Sequence, residues 1–526
     1  MQVIKLSRQH LRTSFLLVAI VISITNGIAQ VGSFPKSTPE KEGVSSLAIA
    51  NFLAAVAASQ NELHGFVMLR HGKMIASAWA APYADTLKHT LYSTSKSFTS
   101  TAVGFAVAEK KLTADDKVLS FFPGLLPETV SPMLQQLKIR HLLTMTVGHE
   151  TDPSGPIGSG TQWVKNFLAT PIVDTPGTKF LYNSMATFML SAIVQKVTGE
   201  RIIDYLEPRL FAPLGIVDKD WELNPEGINV GGWGLRLTTT DIAKLGQLYL
   251  QKGKWQGKQV LPTAWVEEAT KAHIIQNPAA TDKERAASDW LQGYGYQFWR
   301  SRHNSYRADG AFGQYILIFP ELDAVIAITS ETPSMQDELN LVWKHLYPAI
   351  KPGSLPINKS AEQQLLAASK RLTIKPFRRL GDSAIAANQP WRSKTISLND
   401  NRRQFKKLDF VAKGDGLSVT ITSNNGSINL PFGRDTWLSD TTSLTGPALT
   451  NRMQNAMKGI TPVRMAGTYR WKSPHTLELI LQYIESPHRE IWTCYFEGAG
   501  FRMEIRNSIA LMKEDVIDET LTGTNN

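Results

Sequence analysis

Tyr92-Ser93-Thr94-Ser95-Lys96-Ser97-Phe98 opens a stretch whose helical pattern reaches Lys110, with Phe98, Val103 and Val107 on or near one face. Ser93 and Lys96 stand three residues apart at its start. On a helix that spacing turns both side chains the same way, about 5–6 Å apart at Cβ. A serine hydroxyl is a poor nucleophile until a neighbouring base takes its proton. A lysine can be that base once burial or another cation lowers its pKa. At a helix start, Ser93 would also have free backbone N–H groups and the positive end of the helix dipole beside it, which favours an oxyanion.

The S-x-x-K tetrad alone is a weak signal. The chain holds two, Ser93/Lys96 and Ser33/Lys36, and about two are expected by chance when each residue type makes up roughly 6–7% of a chain. Ser33 has Pro35 inside its tetrad and no helix to sit on. Context separates the two. A hairpin precedes Ser93, with strand patterns at 65–70 and 73–79 around the turn His71-Gly72. After the helix come Lys111-Leu112-Thr113-Ala114-Asp115-Asp116-Lys117-Val118, Arg140-His141-Leu142-Leu143-Thr144-Met145-Thr146-Val147-Gly148 and Pro176-Gly177-Thr178-Lys179-Phe180-Leu181-Tyr182-Asn183-Ser184. Gly231-Gly232-Trp233-Gly234-Leu235 leads into Thr240-Asp241-Ile242-Ala243-Lys244-Leu245-Gly246. Helices are predicted over 185–197 and 242–251, strands over 314–319 and 324–329, and a returning helix over 337–346. Strands at both ends with helices between them predict an α+β domain, an antiparallel sheet covered by helices with an inserted helical lobe.

Taken together and in this order, these segments resemble the serine β-lactamase and penicillin-binding superfamily, in its class C β-lactamase-like and esterase branch, over about residues 43–350. The resemblance implies an active site at the junction of sheet and lobe. It makes Ser93 the nucleophile, Lys96 its lysine and Tyr182 the tyrosine of a Tyr-x-Asn motif, with Ser184 where asparagine is usual. The third family motif, Lys-Thr-Gly or His-x-Gly on a strand, falls on Ala308-Asp309-Gly310. Gly310 would keep the backbone close to substrate, and the N–H of Ala311 would pair with that of Ser93 as oxyanion hole. Ala308 stands where the family has a cation that holds a substrate carboxylate. Arg307 or Arg236 could replace it, and the sequence does not place them.

The rest of the chain bounds the answer. Its 526 residues allow roughly three domains at ~100–200 residues each. Hydrophobic residues make up 42% and charged residues 19%, which excludes a disordered chain, a coiled coil or a collagen-like rod. Lys plus Arg number 56 against 46 Asp plus Glu, a mild net charge of +10. Without a Lys/Arg block, nucleic acid is not an expected partner. The single cysteine, Cys494, excludes an intrachain disulfide and a cysteine-built zinc site, and its alternating surroundings suit a buried small hydrophobe. His149-Glu150 has no second histidine at metal-binding spacing, so neither a metal nor a cofactor is expected. His141 suits a packing or capping role, and Asp115-Asp116 a turn.

Lys5, Arg8 and Arg12 precede an apolar run at 14–24, and Gly27-Ile28-Ala29 offers small residues for cleavage after Ala29. This reads as an export leader, with an N-terminal anchor as the alternative; the run is shorter than the ~20 residues of a membrane span. No span is expected in the mature chain, and export without disulfides leans to a bacterial periplasm.

Beyond the breaker Lys351-Pro352-Gly353-Ser354-Leu355-Pro356 the pattern turns strand-rich. Seven short strands are predicted at 405–412, 417–423, 427–431, 463–471, 476–484, 490–496 and 501–505, a small barrel or sandwich. Leu430-Pro431-Phe432-Gly433 and Ser486-Pro487-His488-Arg489-Glu490 resemble the β-rich domain appended to some superfamily members, for which a lipocalin-like barrel is expected. The organisation read is a leader at 1–29, a β-lactamase-like domain at 30–352, a linker at 353–375 and a β-rich domain at 376–520.

Three functions follow. The leading one is an exported serine hydrolase cleaving a small-molecule or peptide-like ester or amide through a Ser93 acyl-enzyme. The second is a β-lactamase or D-alanyl-D-alanine carboxypeptidase. The third is a catalytically weak binding or sensor protein. The oligomeric state is not legible.

Overall fold

The computed structural model describes residues 33–375, 377, 392–449, 460, 463–513 and 516–525, so the leader expected at 1–29 lies outside the described residues. The predicted hairpin is present: β1 (Glu62–Arg70) and β2 (Lys73–Trp79) pair antiparallel. His71 and Gly72 between them both take positive φ, 50° and 71°, as a tight hairpin turn requires. β3 (Trp299–Arg300), β4 (Tyr306–Gly310), β5 (Gln314–Phe319) and β6 (Ala324–Glu331) come from the far end of the region. The six form one antiparallel sheet ordered β2-β1-β6-β5-β4-β3. The N-terminal hairpin therefore closes against the last strand, as expected from strands at both ends.

Alternation along these strands feeds two cores. In β5, Ile316 and Ile318 enter one, while Tyr315, Leu317 and Phe319 enter the other. In β6, Val325 and Ala327 face the first, and Ala324, Ile326 and Ile328 the second. Both faces are buried, which is why these strands are apolar at nearly every position. α1 (Ser46–Ala58) covers the second core. α2 (Ser95–Ala108), α3 (Ser184–Thr198) and α4 (Thr239–Leu250) belong to the first, together with the helical lobe. α5 (Met335–Leu341) and α6 (Lys359–Arg371) return to the face of α1. α6 occupies most of the stretch read as a linker. Asn358 caps it, accepting from Ala361 N at 3.0 Å, and Leu365 is buried in the second core.

The C-terminal region is a closed nine-stranded barrel. Its strands are β7 (Ser393–Leu398), β8 (Phe405–Lys413), β9 (Gly416–Ser423), β10 (Gly426–Arg434), β12 (Val463–Ser473), β13 (Thr476–Tyr483), β14 (Arg489–Glu497), β15 (Gly500–Asn507) and β16 (Glu519–Asn525). A tenth, β11 (Leu438–Thr442), lies on the edge of β12. The barrel closes through a short parallel pairing of Gly433 and Arg434 with Thr468 and Tyr469. The seven predicted strands are all there. β7, β11 and β16 escaped prediction because they are mostly polar: β7 buries only Ile396 fully, and β11 only Thr442. β16 presses Gly523 so close to β7 that a Cβ there would lie 2.3 Å from the Ser397 carbonyl oxygen. The interior is packed with aromatic and aliphatic side chains, among them Phe410, Trp471, Trp492 and Phe501. Cys494 sits in that core, fully buried, with its thiol pKa pushed up by desolvation. No helix among the described residues is long and apolar enough to cross a membrane.

Candidate active site

The turn before α2 shapes the site. Ser93 lies in a single 3₁₀ turn, Tyr92–Thr94, and the α-helix begins at Ser95. The sequence pattern predicted an α-helix from Ser93 onward. The 3₁₀ turn keeps the consequence, because residues i and i+3 eclipse there. Three hydrogen bonds through two hydroxyls hold the turn. Thr94 Oγ1 donates to Gln314 O at 2.8 Å, Ser95 Oγ to Tyr92 O at 2.6 Å, and Leu235 N donates to Ser95 Oγ at 3.2 Å. The first half of α2 is polar yet buried, and its hydroxyls satisfy neighbouring loops: Ser97 Oγ donates to Gln297 O and Thr99 Oγ1 to Gly231 O.

Lys96 points back along the turn. Its Nζ lies 2.9 Å from Ser93 Oγ and 3.1 Å from Ser184 Oγ, and donates to Gly232 O at 2.6 Å. It also sits 4.9 Å from the centroid of the Tyr182 ring. Burial to 1% exposure lowers its pKa to about 7, with Asp152 and Asp309 pulling weakly the other way. The ammonium is thus poised to lose its proton near neutrality.

Tyr182 precedes α3, whose cap is Asn183, accepting from Ala186 N at 3.0 Å. The Asn183 side chain also meets His149 Nδ1 at 3.0 Å, which gives that histidine a structural partner. Burial pushes the Tyr182 pKa well above the ordinary phenol value, with the neighbouring Ser93 side chain acting the other way. Its ring stacks on Trp299, centroids 5.6 Å apart. Ser184, first residue of α3, supplies an oxygen to Lys96 where the resemblance expects an asparagine side chain. Gly232 can approach only because it lacks a side chain: a Cβ would lie 2.8 Å from Ser184 O.

Gly310 ends β4 directly against this turn. A Cβ there would lie 2.3 Å from Leu91 O, so strand and nucleophile turn touch backbone to backbone. Ala311 follows in the tight turn into β5. Ser93, Lys96, Tyr182, Ser184 and Gly310 are therefore brought together, with Ala311 adjacent. Gly232, Trp299, Asp152 and Asp309 join them. The Gly-rich segment 231–234 was visible in the sequence, but nothing there tied its carbonyl to Lys96.

The two arginines that could replace the missing cation are both engaged. Arg307 is fully buried; Nε donates to Asp309 Oδ2 at 2.8 Å and Nη1 to Asp289 O at 2.9 Å, with Trp290 and Trp299 at 4.7 and 5.7 Å. Arg236 binds Asp220 through both guanidinium ends, at 2.7 and 2.6 Å, and reaches Glu485 at 3.4 Å. Ala308 is 1% exposed and lies in the first core. His141 has the expected capping role, its Nδ1 accepting from Lys138 N at 3.2 Å. Asp116 closes a turn on Thr113, and Asp115 pairs with Lys138 and Arg140.

The profile of the Beta-lactamase family matches residues 53–345, more than half of the chain. The chain belongs to the Beta-lactamase family. The kinship read from the motif order is borne out over nearly the same span. Among curated Beta-lactamase relatives, the 6-aminohexanoate-dimer hydrolase of Paenarthrobacter ureafaciens is 25% identical over 290 residues, 51% of this chain and 72% of that one. The "Putative D-alanyl-D-alanine carboxypeptidase" of Escherichia coli (strain K12) is 28% identical over 142 residues, 24% of this chain and 33% of that one. A solved structure, "Putative 6-aminohexanoate-dimer hydrolase from Bacillus anthracis", superposes with a TM-score of 0.50 at 19% identity, covering 61% of this chain and 87% of that one. The α+β fold of the family is thus the fold of this chain, and its relatives include hydrolases of the serine β-lactamase and penicillin-binding superfamily.

Proposed function

We propose that this Beta-lactamase family member is a serine hydrolase that cleaves a neutral ester or amide through an acyl-enzyme on Ser93. The observation that carries the reading is Lys96, buried, with a pKa near 7 and its Nζ 2.9 Å from Ser93 Oγ. Above that pKa the neutral amine takes the hydroxyl proton as Ser93 Oγ attacks the carbonyl carbon. The backbone N–H groups of Ser93 and Ala311 hold the oxyanion. Tyr182, kept neutral by burial and beside Ser93, passes a proton to the leaving group as the carbonyl reforms. The Lys96 ammonium returns its proton to the Tyr182 oxygen, which resets both groups; water then attacks the acyl carbon as Lys96 accepts its proton, and that proton passes to Ser93 Oγ as the acid leaves. Ser184 and Gly232 O fix the amine between these duties.

Neutral substrates are favoured because Arg307 and Arg236 are buried in ion pairs, while Asp152 and Asp309 sit near Lys96. An anionic β-lactam would forgo a charge-assisted hydrogen bond worth ~1.5–3 kcal/mol, roughly 10- to 150-fold. The likeness to a carboxypeptidase over 142 residues supports the second reading, cleavage of a D-alanyl peptide or β-lactam. The kcat/KM of purified protein for a short-chain p-nitrophenyl ester and for nitrocefin decides between them. The ester should be the better substrate; a clear preference for nitrocefin would overturn the neutral-substrate reading. The leader motif supports export of this activity, with cleavage near Ala29.

A further inference from the structure

The residues on either side of the proposed oxyanion donors are both bulky and both left-handed. Tyr92, before Ser93, has φ +47°, and Phe312, after Ala311, has φ +65°. Bulky side chains rarely adopt this region, and such strain persists only where surrounding contacts enforce it. Here those contacts come from the barrel.

The loop between β13 and β14 is buried against the hydrolase domain. Thr90 N donates to Glu485 O at 2.9 Å, and Tyr83 OH to Ser486 O at 2.7 Å. Arg489 grips Glu62 with both ends of its guanidinium, at 2.8 and 2.5 Å. His488, fully buried at the tip, reaches the nucleophile turn. Its Nε2 lies 2.6 Å from the Tyr92 hydroxyl, and its ring meets Phe312 edge-to-face at 4.7 Å. On the other side, Nδ1 lies 2.7 Å from Glu331 Oε1 at the end of β6, an oxygen that also accepts from Ser508 Oγ at 2.5 Å. A carboxylate at Nδ1 places the ring proton there and leaves Nε2 to accept from Tyr92. One barrel side chain thus touches both residues that flank the two N–H groups.

We propose that His488 is a positioning residue of the hydrolase site: it locks Tyr92 and Phe312 in their left-handed conformations and so aims the Ser93 and Ala311 N–H groups at the oxyanion. The inference rests on the Ser93 reading above, and it makes the barrel part of the reacting assembly. A misaimed donor weakens transition-state binding more than ground-state binding, so the loss falls on kcat.

The test uses full-length His488→Ala, His488→Gln and Tyr92→Phe on a p-nitrophenyl ester, with Glu62→Gln as a control that breaks the buried Arg489–Glu62 ion pair at the same junction. His488→Ala and Tyr92→Phe should each lower kcat about 10- to 100-fold, less than the 10²–10³ for removal of an oxyanion donor, with KM within about threefold. The double variant should lose little more than either alone. His488→Gln, which keeps an acceptor for the Tyr92 hydroxyl, should recover most of the rate. Glu62→Gln should lower the melting temperature yet keep kcat. Wild-type kcat in Tyr92→Phe and His488→Ala, or an equal kcat loss in Glu62→Gln, would overturn the inference. Should His488→Ala fail to fold, Tyr92→Phe, which deletes one oxygen, decides by the same criterion. Ester hydrolysis that survives in Ser93→Ala would instead sink the underlying Ser93 reading.

Discussion

Lys96 Nζ and Ser184 Oγ lie 3.1 Å apart, across 88 residues of sequence, at the point where the nucleophile turn meets the start of α3. A short hydroxyl does here what a longer amide was expected to do, and it anchors the amine beside Ser93. Ser184→Ala should lose one hydrogen bond of about 1 kcal/mol, roughly fivefold in kcat/KM, while Ser184→Asn should retain activity. Steady-state kinetics on one ester substrate checks both.

The charge state of Lys96 sets the pH dependence. Burial lowers its pKa to about 7, and the base form exists above that value. Free-enzyme kcat/KM should therefore rise through about pH 7 and level off above it, and the Tyr182 phenol, shifted upward, adds no falling limb in the neutral range. Lys96→Ala should slow acylation by about 10²–10⁴-fold and abolish that rise. A flat profile in the wild type would remove Lys96 from the base role.

In the proposed mechanism Tyr182, held neutral by burial, donates a proton to the leaving group. Tyr182→Phe should slow amide cleavage by about 10²–10⁴-fold, but cleavage of a p-nitrophenyl ester much less, because nitrophenolate leaves without a proton. With Lys96→Ala the losses should be far from additive, since the groups act as a unit. Equal losses on amide and ester would move the tyrosine to a purely structural role.

Arg307 is buried between Trp290 and Trp299 and bonded to Asp309. Removing it strands a buried carboxylate, so Arg307→Met should destabilise the domain by about 3–5 kcal/mol in denaturant melts. A neutral effect on stability would mean the arginine is free to serve the substrate.

Much of this is legible in the sequence. The strands β1, β2, β5 and β6 announced themselves through apolar runs and the His71-Gly72 turn. Ser93, Lys96 and Tyr182 stood in motifs whose order carried the family. Other parts were not legible, for physical reasons. β7 and β16 each fully bury a single side chain, Ile396 and Leu521, and so carry little apolar alternation. α6 hid in the stretch that follows the chain breakers Pro352 and Pro356. The fates of Arg307 and Arg236 depend on Asp309, Asp289, Asp220 and Glu485, partners set by tertiary packing. His488 was visible only as part of a domain likeness; its reach to Tyr92 spans 396 residues, which no local pattern encodes.

The central claim is that Ser93 carries the acyl group. Treating the purified protein with a fluorophosphonate and mapping the adduct by peptide mass spectrometry tests it directly. The account predicts a single adduct on Ser93 that is absent from Ser93→Ala. An adduct on another residue, or labelling that persists in Ser93→Ala, would contradict it.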